Sequence, residues 1–169
     1  MSGLIRTFKI LLVMSLLPAM AKETKYIRLV GFDPVLEEQV KVQIKSKMRK
    51  VFNYKFVDTL ANTGGTIIIY TDEFPQCFNT VFGYIYNENF QRLRLMQVVI
   101  NSTCINAYAG VNKINAFFNS INHEYFCHAV ADINDHPPSN MKVNLCNTQL
   151  STDKLYFTQY DRDWIKENL

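Results

Sequence analysis

The sequence predicts an α+β domain: a twisted mixed sheet with one long helix packed on it and a second helix beneath. Three observations carry this. A stretch with helical periodicity precedes a group of short β-branched and aromatic runs, a second helical stretch follows them, and a capped helix ends the chain. Helices and strands are grouped rather than alternating, the pattern of helices set against one side of a sheet.

Residues 1–21 read as a secretory signal. Arg6 and Lys9 give a basic start, residues 10–17 an apolar run, and Ala19 and Ala21 the small residues before cleavage. The mature domain is then 22–169, a single domain in which nothing looks membrane-spanning. Residues 25–30 alternate apolar and polar and read as the first strand. Asp33-Pro34 supplies an N-cap and a proline at the first helical position, opening a helix to about Phe52 with Leu36, Val40, Ile44, Met48 and Val51 on one face. Residues 54–57 are a second strand, Asn62-Thr63-Gly64-Gly65 a turn, and 66–70 a β-branched central strand.

Residues 71–80 read as loop, 82–86 as a short aromatic strand, 93–101 as a further strand and 102–111 as loop. The second long helix runs from 112 to about 132, and Pro137-Pro138 enforces an irregular segment after it. Thr158-Gln159-Tyr160-Asp161 resembles a capping box with Asp in place of Glu, opening a last helix that runs to Leu169.

The net charge of +3 is spread along the chain, and its one denser basic run, 41–50, lies on a helix without interleaved aromatics. That is a solvated helix face rather than a nucleic-acid stripe. The four cysteines, Cys77, Cys104, Cys127 and Cys146, suit two disulfides in a secreted chain, with three connectivities open. No C-x-x-C pair offers a cysteine-built metal knuckle, no glycine-rich phosphate loop is present, and no serine sits in a nucleophile elbow. Asn101-Ser102-Thr103 is a glycosylation sequon, compatible with secretion.

All three histidines, His123, His128 and His136, fall in one window, and Glu124 follows the first. A zinc-protease helix carries His-Glu-x-x-His, which stacks two imidazoles one turn apart beside a carboxylate that activates water. Here the second histidine is one residue late. On a regular helix, residues five apart lie roughly 140° apart, against about 40° for residues four apart. Three ligand sets remain open. A π-bulge would bring His123 and His128 together, with His136 as third zinc ligand and Glu124 as general base. A regular helix would instead pair His123 with the thiolate of Cys127, or pair Glu124 with His128 and place Asn134 in the third position. A Cys127–Cys146 disulfide would exclude the thiolate and staple the motif helix to the turn below it. His128 also lies in line with Ile114, Phe118, Ile121 and Tyr125, as a hydrogen-bonded core histidine would.

The order of elements, with the histidine helix, Ser139-Asn140-Met141, Gln97-Val98-Val99-Ile100-Asn101 and the run from Phe157 to Ile165, resembles the metzincin zinc metalloproteases, in particular the matrixin-like catalytic domains. The resemblance covers nearly all of the mature chain. It implies a metzincin-like fold with a methionine turn at Met141, Zn2+ as cofactor on His123, His128 and His136, and Glu124 as catalytic base. The implied protein is a secreted monomeric endopeptidase. Its peptide or protein substrate would lie along the edge strand at 83–87, with no nucleic acid or membrane partner. The sequence departs from the family pattern in the extra residue between the histidines, in the missing glycine after the helix and in the late third histidine. A metzincin-like domain that has lost chemistry and kept its groove, a binding or decoy protein, is the competing expectation.

Overall fold

The computed structural model describes residues 22–60, 64–72, 83–86, 95–108, 110–131, 146 and 156–169. Strands β1 (Glu23–Val30), β2 (Phe52–Phe56), β3 (Gly65–Thr71), β4 (Gly83–Tyr86) and β5 (Leu95–Asn101) form one sheet in the order β2-β1-β3-β5-β4. β2, β1, β3 and β5 are mutually parallel, and the short β4 joins the outer side of β5 antiparallel, so that it is an edge strand.

This corrects the expected α+β, metzincin-like class. Four strands in an all-parallel arrangement with helices interspersed make an α/β fold. Parallel neighbours cannot be joined by a hairpin and need a crossover, which α1 (Pro34–Ser46) supplies between β1 and β2. The grouping visible in the sequence hid this, because the segments between the later strands carry no helical period.

α1 begins as its residues dictate. Asp33 is the N-cap, and its Oδ1 accepts from the backbone N–H groups of Val35 and Leu36, both at 3.0 Å. Val40 and Ile44 are its fully buried positions and meet the sheet. The helix stops at Ser46, short of the expected Phe52. Met48 is buried and Val51 half-buried in the turn that follows, so the apolar period outlasts the helix that it first describes. Gly31, which joins β1 to α1, has φ +82°, and a Cβ there would overlap the carbonyl oxygen of Tyr70.

Residues 102–108 are helical, not loop: α2 (Ser102–Tyr108) starts directly at the end of β5. Oδ1 of Asn101 accepts from the N–H of Cys104 at 3.1 Å and so caps it, and Cys104 and Ile105 are buried. A short 3-10 turn (Gly110–Asn112) leads into α3 (Lys113–Asn122), which gives way to an eight-residue π-helix (His123–Val130). The last helix, α4 (Gln159–Glu167), carries the capping box in full. Thr158 Oγ1 accepts from the N–H of Asp161, whose Oδ2 accepts from the N–H of Thr158 at 2.6 Å.

One core joins these parts. Ile27, Ile68, Val98 and Ile100 from the sheet meet Val40 and Ile44 of α1, Ala116, Phe117 and Ile121 of α3, and Ile165 of α4. The ring of Phe117 packs edge-on against Tyr70 at 5.1 Å between centroids and Phe32 at 6.2 Å, clamping α3 to the strand ends. Ile114, expected on the inner stripe, is 51% exposed. No helix among the described residues is long and apolar enough to cross a membrane.

Candidate metal centre

The π-helix decides where the histidines lie. Its hydrogen bonds join residues five apart, so a residue at i+5 stands one turn above residue i. His123 and His128 are therefore brought together despite their spacing. Their Nε2 atoms are 3.2 Å apart, and both rings are buried. The ring centroids lie 4.9 Å apart at 68° between planes. A head-on contact of the two nitrogens would hold the centroids further apart than this, so the ring axes are bent relative to the N···N line.

Two imidazoles sharing a tetrahedral zinc at about 2.0–2.1 Å hold their nitrogens about 3.3 Å apart. The observed separation and the bent axes fit that bite, so the pair could supply two ligands of a zinc site. Where no metal is bound, one Nε2 can carry a proton and donate it to the other across the same 3.2 Å. Among the described residues no group of three His, Cys, Asp or Glu is gathered to hold a metal. The expected third ligand His136, the expected methionine-turn residue Met141, and Asn134 lie outside the described residues.

Glu124 follows His123 in the first turn of the π-helix and is half-buried. Burial pushes its carboxyl up to about 7. Cys127 is not available as a thiolate: it is bonded to Cys146, with 5.4 Å between the Cα atoms. That excludes the His123–Cys127 ligand set. Cys104 is also disulfide-bonded, and no cysteine among the described residues is free.

The π-helix sits against α4, β4 and β5 as well as α3. Phe126 packs 5.2 Å from Phe157 and 6.4 Å from Tyr54, so the motif residues that face away from the imidazoles are fixed in the core. The helix ends at Ala131 in right-handed geometry, with φ −84° and ψ −7°, so the expected glycine is not required at that position. No sequence signal marks Asn122, the residue before His123. Its side chain is buried and Oδ1 has no hydrogen-bond partner among the described residues.

Comparison with known proteins finds no matching family model, curated protein or solved structure.

Proposed function

We propose that the protein is a secreted zinc-dependent endopeptidase whose metal is held by His123 and His128, with His136 as the expected third ligand. The single observation that carries this reading is the 3.2 Å approach of the two Nε2 atoms in a π-helix whose first turn also contains a half-buried glutamate. The reading rests on the site residues alone.

Zinc would supply Lewis acidity to a scissile carbonyl and to water. The remaining chemistry belongs to the chain. His123 and His128 would hold the metal with their neutral imidazoles, whose Nε2 atoms face each other at 3.2 Å. Glu124 takes a proton from the attacking water as its oxygen bonds to the carbonyl carbon, then passes that proton to the leaving amine nitrogen as the C–N bond breaks. Its place in the first turn of the π-helix, one residue after His123, suits both halves of that task. β4 is the edge strand among the described residues, and an extended peptide can add along that edge as a further strand.

The test is the metal content of the oxidised mature protein, measured beside His123→Ala and His128→Ala. One zinc per chain, lost in both variants, is the expected result. A zinc-free parent would overturn the reading and leave the second one, a binding protein in which the imidazole pair is a buried hydrogen bond.

A further inference from the structure

The π-helix raises a question that the zinc reading leaves open, namely why this segment does not relax to an ordinary α-helix. In the α-helical register, Cys127 rather than His128 would lie about 40° from His123, and the histidines would swing roughly 140° apart. π-helices are rare and occur mostly as single turns inside α-helices. Here eight residues adopt the form, and they include one half of a disulfide.

We infer that the Cys127–Cys146 disulfide is the register lock of the histidine pair, a positioning device for the site proposed above, on which reading its functional meaning rests. Two anchors fix the segment from opposite ends. Upstream, α3 is set by Ala116, Phe117, Ser120 and Ile121, all buried, and this fixes the direction in which His123 leaves the helix. Downstream, Cys127 is buried in the core cluster with Cys146 and Ile165 and is covalently tied to Cys146. Cys146 is itself held, because its N–H donates to Oδ1 of Asp161 at 2.9 Å. Asp161 is fully buried and takes part in the capping box of α4 through its other oxygen.

The two anchors are out of step with an α-helix by one residue. The segment between them absorbs that residue in π geometry, and His128, next after the tethered cysteine, is delivered to His123. On this account the late histidine and the neighbouring cysteine form one device. The disulfide removes Cys127 from competition as a ligand, and by the same bond it turns His128 into place.

The test compares three full mature chains, each read without metal and with zinc. They are the oxidised parent, Cys127→Ala/Cys146→Ala, and a chain in which Cys127 is deleted in the Cys146→Ala background. The deletion has no disulfide but spaces the two histidines four apart, so a regular helix pairs them. The metal-free readout is the through-space NMR cross-peak between the His123 and His128 rings. It should be present in the parent, lost in the double variant and regained in the deletion chain. Zinc affinity should follow, falling about 10–100-fold in the double variant and recovering in the deletion.

A double variant that keeps the cross-peak overturns the inference, and so does a folded deletion chain that lacks it. A double variant that unfolds while the deletion chain folds supports the lock. Unfolding of both shows that the disulfide carries the fold rather than the register, and overturns it. If the cross-peaks behave as stated but the parent takes up no zinc, the lock stands and the zinc reading alone falls.

Discussion

The N–H of Cys146 donates to Oδ1 of Asp161 over 2.9 Å, and by that bond the start of α4 holds the cysteine that is bonded to the π-helix. Asp161 also accepts from the N–H and the Oγ1–H of Thr158, at 2.6 and 2.7 Å. Asp161→Ala would strand two backbone donors and a hydroxyl beside the core. Hydrogen bonds to a charged group are worth about 1.5–3 kcal/mol each, so a loss of about 3 kcal/mol or more is expected in urea unfolding. An unchanged midpoint would show that the network carries little of the stability.

Glu124→Gln keeps the size of the side chain and removes the base. Peptide hydrolysis by the zinc-loaded protein is expected to fall about 10²–10⁴-fold, with zinc content unchanged. A variant that cleaves peptide at the parent rate would remove Glu124 from the mechanism.

Gly31→Ala sets a side chain at φ +82° against the Tyr70 carbonyl, where the backbone of β3 cannot move without disturbing its ladder. Strain and overlap together should cost about 3 kcal/mol. Denaturant unfolding of the variant measures this directly.

Asn101 is buried, so the fold leaves no room for a glycan on its Nδ2, while its Oδ1 accepts from the Cys104 N–H. Protein recovered from a secretory host should carry no glycan at Asn101 when its mass is measured. Asn101→Ala should destabilise by about 1 kcal/mol through loss of the α2 cap.

Burial raises the Tyr54 phenol above its usual range, and its buried hydroxyl has no hydrogen-bond partner among the described residues. The folded state then keeps a proton that the unfolded chain gives up above about pH 10. Native Tyr54 therefore binds more protons than unfolded Tyr54, and stability falls as the pH rises through that range, by about 1.4 kcal/mol per pH unit. Tyr54→Phe should flatten the alkaline limb of a stability–pH curve by that slope, whereas an unaltered limb would place its cause in other groups.

The parts legible in the sequence were those written by neighbours. Asp33 before Pro34 and the Thr158–Asp161 box mark two helix starts because a cap is made within three residues of itself. The β-branched run around Ile68 reads as a strand, and the histidine window stands out, for the same local reason. α2 was not legible. Ser-Thr-Cys-Ile-Asn-Ala-Tyr contains few strong helix formers, and the helix depends on the Asn101 cap and on burial of Cys104 and Ile105.

The sequence by itself determined where the strands and the caps lie, and it set the three histidines in one window. Tertiary structure decided three things. It set β3 beside β5 in parallel, which makes the class α/β. It ended α1 at Ser46 while the apolar period ran on. It turned residues 123–130 into a π-helix that joins His123 to His128. The last is fastened by contacts between residues far apart in the chain, Cys127 with Cys146 and Asp161 with Cys146. A helical repeat records only which side of a segment is apolar, whereas the choice between one register and the next is made by whatever that side is fastened to.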